Sequence, residues 1–289
     1  MNGQTQYPVV AVLNMKGGVG KTTISANVMR HLHPHITGST TLIDFDPQYN
    51  LSQLLLKQAS YDEWKSLGCT MQSVMQEEKA PSLLTVTTAP GPPPDVSKVS
   101  INLREEKHSG RRLRIVLGDF AMVKYSLIDQ ANNSLIPIRN RFRTFVTQAR
   151  SEGLVCIDCN PSSSFLTVSA LEVATHVLVP VRPDRFSMLG LDMLYSYVDQ
   201  LSQLLTKPKF IVLLNDIPRS NYDAAVEDQL RAHPIYGVRT LSEPLYKTTA
   251  LSANQKFTGF ACDRRGPYVG RAIKNLDAVA GELKKELRL

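Results

Sequence analysis

The segment that most constrains the fold is an apolar run, Val9-Val10-Ala11-Val12-Leu13, followed within three residues by Lys16-Gly17-Gly18-Val19-Gly20-Lys21-Thr22-Thr23. Five consecutive apolar residues suit a strand covered on both faces, as in a parallel sheet flanked by helices. From Thr23 onward, Ile24, Val28 and Leu32 recur at helical spacing. The glycine-rich stretch is thus a strand-to-helix turn, whose backbone N–H groups and lysine converge on one point and suit a nucleotide polyphosphate. The general pattern is Gly, four residues, then Gly-Lys-Ser/Thr. Gly20-Lys21-Thr22 obey it, whereas Met15 stands where the first glycine belongs and Lys16 adds a second cation.

The strand–helix alternation continues. Thr41–Ile43 reads as a strand and Leu51–Leu56 as a helix. Leu154–Ile157 and Phe165–Val173 form the next pair, then Val177–Val181 and a helix Met188–Leu205, then Phe210–Leu214 and a helix Asn221–Ala232. This rhythm specifies an α/β fold, a doubly wound, mostly parallel sheet with helices on both faces. A last helix, Val269–Leu287, carries Ile273, Leu276, Ala280, Leu283 and Leu287 on one stripe. Lacking Trp or Phe and bearing Asp277, Glu282 and Glu286, it reads as docked on the core rather than on lipid. Residues 57–112 break the rhythm. Ala89-Pro90-Gly91-Pro92-Pro93-Pro94 excludes helix and central strand, and Glu105–Arg114 is a charge run, so the expectation is a helix near Tyr61–Glu78 and then an exposed loop. With no internal repeat, residues 1–289 are expected to form one domain with that insertion. With seven residues before Pro8, no separate N-terminal domain is expected there.

The chain has 289 residues, 43% hydrophobic and 20% charged, enough to bury a full core. No apolar stretch is long enough to span a bilayer and no secretory leader precedes Pro8, so a cytoplasmic location is expected. Cys69, Cys156, Cys159 and Cys262 are too scattered for a disulfide scaffold; Cys156 and Cys159, inside a strand-like run, read as small core residues. His31, His33 and His35 fall where the first helix should end before Pro34, with no carboxylate or cysteine cluster to complete a metal site. Between residues 98 and 150, eleven Lys/Arg face four acids, a surplus of seven that equals the whole chain's. Such clustering fits either a polyanion surface, nucleic acid first, or a solvated face.

In parallel α/β sheets, ligands bind beyond the carboxyl ends of the strands. The polar groups of interest all fall there: Asn14–Thr23, Asp44-Phe45-Asp46-Pro47-Gln48, Asp158-Cys159-Asn160-Pro161-Ser162 and Asn215-Asp216. Charge assigns the roles. The N–H groups of Gly18–Thr22 cradle phosphate oxygens, Lys21 neutralises β/γ charge, Thr22 binds Mg²⁺, Asp158 holds the ion through water, and Asp46 orients an attacking water. No Asn-Lys-x-Asp pattern follows the Phe210 strand, so adenine is favoured, with Asn215 either a base contact or a strand-end turn former.

Lys16–Thr23, Leu42–Gln48 and Ile157–Ser162 resemble the deviant Walker ATPases of the ParA/MinD class, and Asp46-Pro47-Gln48 with Val179-Pro180-Val181, Phe186-Ser187 and Gly190-Leu191 resembles the ParA branch. The resemblance implies ATP and Mg²⁺ as ligands, with Lys16, Gly17, Gly18, Val19, Gly20, Lys21, Thr22 and Thr23 around the nucleotide. Lys16, Lys21 and Asp46 would be catalytic. Lys16 would reach across a nucleotide-sandwich homodimer that binds DNA non-specifically. A ParB-like partner would trigger hydrolysis, and the cargo would be DNA or another body on the nucleoid, without stable membrane insertion. Arg219 resembles a family arginine at DNA. The arginine of the next strand is replaced by Leu241-Ser242-Glu243-Pro244, leaving Arg139, Arg141, Arg143, Arg264 and Arg265 as substitutes. The alternatives are a MinD-like membrane-cycling regulator and a capsule-type tyrosine kinase; the latter would need a tyrosine-rich tail, whereas the last tyrosine here is Tyr268.

Overall fold

The computed structural model describes residues 6–76, 83, 85–86, 91–127, 135–162, 164–252 and 258–289. Eight strands form one sheet: β1 Val9–Val12, β2 Ser39–Phe45, β3 Ser100–Glu105, β4 Arg112–Val116, β5 Gly153–Cys159, β6 His176–Val181, β7 Lys209–Ile217 and β8 Leu245–Tyr246. Their spatial order is β3-β4-β2-β5-β1-β6-β7-β8. All pairs are parallel except β3–β4. The register sets Val12 beside Asp158 and Asp44 beside Asp158, so the carboxyl ends of the three central strands finish level with one another.

Side chains of β1 alternate between two cores. Val9, Ala11 and Leu13 enter one, Val10 and Val12 the other, which explains the unbroken apolar run. One core is closed by the helix Leu135–Glu152, whose Phe142 stacks on Phe45 with centroids 4.3 Å apart. The other is closed by the first helix, Lys21–Leu32, against the last, Val269–Leu287, through Ile24 and Val28 with Leu276, Val279 and Leu283. The apolar stripe of the last helix is therefore occupied by the core. Cys156 and Cys159 are buried in β5, as expected of core residues. His31 Nδ1 lies 2.6 Å from Asp277 and His33 Nδ1 3.0 Å from Thr40.

Three expectations need correction. Residues 57–112 are not one helix and a loop. Helices Gln58–Ser66 and Met71–Met75 precede a short turn of helix, Val96–Val99, and β3–β4 is an antiparallel hairpin that extends the sheet. Residues 77–78 of the expected helix and 89–90 of the proline run lie outside the described residues. The helix expected over Met188–Leu205 runs from Arg185 to Gln200, because Asp184 caps it by accepting from Ser187 N at 2.9 Å. The one expected from Asn221 starts at Ala225, Asn221 itself being left-handed with φ 51°.

The cations of 98–150 are mostly paired or buried. Arg114 is buried, reaching Thr41 at 2.9 Å and Glu152 at 2.7 Å. Arg141 is buried against the carbonyls of Ser73, Val74, Gly91 and Pro92. Arg139 and Arg143 both hold Glu172, at 2.8 and 3.1 Å. Arg104 meets Asp263, Arg111 meets Glu106, Arg112 meets Glu105 and Lys98 meets Asp95. Lys124 is fully buried and Arg150 donates to Tyr7 O. The positive run in the sequence is largely neutralised in space.

Candidate functional site

The carboxyl ends of β1, β2, β5 and β7 enclose a cleft of about 1020 Å³. Gly17, Gly18, Gly20, Lys21, Thr22, Thr23, Asp46, Asn160 and Asn215 all line it. Gly20 explains how the loop enters the helix. Its φ of 95° is left-handed, and a Cβ there would fall 2.3 Å from Asn215 Nδ2. At Gly17 and Gly18 a Cβ would meet nothing within 4 Å, so that side of the loop stays open.

Lys21 is buried, and its Nζ donates only at 3.3 Å, to Asn14 O and Lys16 O. Burial lowers its pKa, opposed by Asp158, Cys159 and Asp46. Among the described residues it has no carboxylate at ion-pair distance, which leaves a desolvated cation suited to an incoming polyanion. Thr22 Oγ1 donates to Asp158 at 2.8 Å and Ser25 Oγ donates to the other carboxylate oxygen at 2.8 Å. Burial raises Asp158 to about 6, while the Ser25 and Thr22 hydrogen bonds pull it down and Asp46 pushes it up. Asp46, also buried, accepts from Gln48 N at 2.9 Å and from Asn160 Nδ2 at 3.1 Å, which fixes its orientation at the cleft. A hydroxyl and two carboxylates meeting at a glycine cradle form an oxygen donor set suited to a hard divalent cation beside phosphate.

Two side chains are held by groups of this chain itself. Asn215 lines the cleft and donates to Val19 O at 2.7 Å, and so braces the glycine-rich loop. Lys16 is folded back on its own chain, its Nζ 2.7 Å from Asp184 and 3.3 Å from Ser187 Oγ. The six arginines expected at DNA are dispersed, Arg141 being buried against backbone carbonyls. Arg139 and Arg143 share Glu172, Arg264 donates to Ser252 O at 2.8 Å, Arg219 stacks over Tyr246 with 4.2 Å to the ring centroid, and Arg265 is exposed.

Six other participants were given no role in the reading of the sequence. Asp44, fully buried, accepts from Ser52 N and Oγ at 2.8 and 2.7 Å, and burial followed by Asp158 raises it to about 8. Ser25 is one turn beyond the loop. Asp184 and Ser187 hold Lys16; an Asp three residues ahead of a Ser at a helix start was the available signal. Arg182 and Asp216, paired at 3.3 Å, line the far wall.

The model of the AAA domain family, AAA_31, matches residues 7–211. A Rhizobium rhizogenes protein designated replication protein A is 27% identical over 299 residues, covering 98% of this chain and 69% of its own length. The chromosome partitioning protein ParA of Myxococcus xanthus is 27% identical over 231 residues, 78% of this chain and 71% of that protein. Among solved structures, a plasmid partition protein of Borrelia burgdorferi B31 bound to AMPPNP superposes with a TM-score of 0.65 at 15% identity, covering 97% of this chain and 100% of that one.

Proposed function

We propose a function from the premise that this chain belongs to the AAA domain family and, within it, to the ParA/MinD class of P-loop ATPases. The reading is a ParA-like ATPase that binds and hydrolyses ATP with Mg²⁺, pairs with a second copy when ATP is bound, and holds duplex DNA without sequence preference. A ParB-like activator would trigger hydrolysis, so that the protein cycles on and off the nucleoid to position DNA or another cargo. The observation that carries it is the meeting of Lys21, Thr22, Asp158 and Asp46 around one glycine cradle. The partition role of the Myxococcus and Borrelia proteins favours it over other duties of the same fold.

The chain's residues divide the work. Backbone N–H groups of Gly18–Thr22 bind phosphate oxygens on the open side of the loop, and Asn215 keeps the loop in shape. Lys21, held in a desolvated position, offsets the negative charge of the β/γ phosphates as it develops. Thr22 and Asp158 would hold Mg²⁺, which when bound neutralises phosphate charge. Asp46, fixed by Asn160 and Gln48 N, orients water for attack. Lys16 stands outside the cleft lining of its own chain, which suits a cation that acts on the partner's nucleotide.

The test is retention of the chain on arbitrary duplex DNA, with and without ATP, across a salt series. Retention should require ATP and fall steeply with salt. Equal retention without ATP contradicts the reading.

A further inference from the structure

At the opposite end of the sheet, where β6 and β7 begin, lies a second cavity of about 350 Å³. Six residues of β6, at about 3.3 Å each, separate it from the cleft by roughly 20 Å. Its apolar floor includes Val198 and Phe210, Tyr195 forms one wall, and His176, Lys209 and Arg239 stand around it.

The tautomer of His176 follows from its neighbours. The Thr175 hydroxyl has one hydrogen, which goes to Val9 O at 3.0 Å, and it accepts from Val9 N at 3.0 Å. With His176 Nδ1, 2.8 Å from the same oxygen, as the donor, all three contacts of the hydroxyl are hydrogen bonds. The lone pair is left on Nε2, for which no hydrogen bond occurs among the described residues. His176 is 9% exposed, and burial together with Lys209 and Arg288 lowers its pKa to about 4. The ring is thus a neutral acceptor set among cations.

The surrounding charges do not cancel. Lys207 is paired with Asp199. Lys209 on β7 and Arg239 on the turn Gly237–Arg239 meet no carboxylate at ion-pair distance among the described residues, and Arg288 follows the last helix. Arg239 lies 5.5 Å from the Tyr195 ring centroid, and its Nη1 is buried with no partner among the described residues. Among the described residues, Glu286 is the one opposing acid that lines the cavity outside the Lys207 pair.

We propose that this cavity binds a small organic anion, a flat ring carrying phosphate or carboxylate, with the ring against Tyr195 and Phe210 and the anionic head among Lys209, Arg239 and His176. Binding is linked to proton uptake. An anion beside Nε2 favours the imidazolium, so affinity rises as pH falls towards the free histidine's pKa, by up to about tenfold per unit. The site is independent of the nucleotide cleft and of the function proposed for it.

The test uses the full chain saturated with ADP, so that the phosphate cradle is filled. Phenyl phosphate is titrated while the His176 and Tyr195 ring signals are followed by NMR. Saturable shifts are expected below about 10 mM. Lys209→Gln and Arg239→Gln should each weaken binding by about tenfold; Lys209 is exposed and has no ion-pair partner among the described residues, so its variant keeps the fold. Benzenesulfonate, whose charge is constant above pH 4, should bind more tightly at pH 5 than at pH 8. His176→Asn, whose amide can still donate to Thr175, should lose that dependence. No shift of either ring, or equal affinity in the Lys209 and Arg239 variants, overturns the site. A pH dependence that persists in His176→Asn overturns the role of the histidine.

Discussion

The nucleotide cleft and the arginine-rich flank of residues 98–150 both gather charge, yet they treat it in opposite ways. In the cleft, Lys21 is buried with two long carbonyl contacts, and Asp158 shares its oxygens with two hydroxyls. On the flank, Arg114, Arg139, Arg141 and Arg143 each find a carboxylate or a set of carbonyls. Groups left short of partners mark where a ligand enters; groups fully answered hold the fold together. Changes in the cleft should therefore remove activity and spare stability, and changes on the flank should do the reverse.

The strongest attempt to break this contrast is Lys21→Ala. ATP turnover should fall by about 10²–10³-fold, while the melting temperature of the nucleotide-free chain stays within a few degrees. Arg141→Ala should do the opposite, lowering stability in urea by about 2–4 kcal/mol because four backbone carbonyls lose a charged donor. Its ATP affinity, measured by calorimetry, should change less than twofold.

Acid and base separate the two regions further. Asp44 has a folded pKa raised to about 8, so its contribution is present at low pH and lost as pH rises from about 4 through 8. Asp44→Asn should flatten that loss and stabilise the chain at pH 8 by on the order of 1–3 kcal/mol. His33, beside the flank's Glu106 and Arg111, is lowered to about 4, mainly by burial. Its contribution disappears as pH falls from about 6.5 towards 4, and denaturation of His33→Asn should show a shallower acid limb, by about 1 kcal/mol at pH 5. The smallest effect belongs to Glu172→Gln. It should cost about 1 kcal/mol and, by freeing Arg139 and Arg143, raise rather than lower retention on DNA at low salt.

The cleft was legible in the sequence because each of its parts is local. Gly20 must be glycine for a left-handed turn, and Asp46, Asp158 and Asn215 each follow an apolar run that declares its own end. The flank was not. β4 reads Arg112-Leu113-Arg114-Ile115-Val116, and the charges hide a strand because the partner of Arg114 is Glu152, 38 residues away. The helix Leu135–Glu152 spaces Ile138, Phe142, Phe145 and Ala149 correctly for a core face, but its four arginines invite a surface reading. The hold of Asp184 on Lys16 spans 168 residues: Asp184 and Ser187 mark a helix start locally, but nothing local names Lys16 as their partner.

Light scattering on Asp46→Ala with saturating Mg²⁺ and ATP tests the proposed pairing most directly, because pairing then proceeds without turnover. The account predicts the mass of two chains for that variant and of one chain once Lys16→Ala is added. Two chains in both samples, or one chain in both, contradicts it.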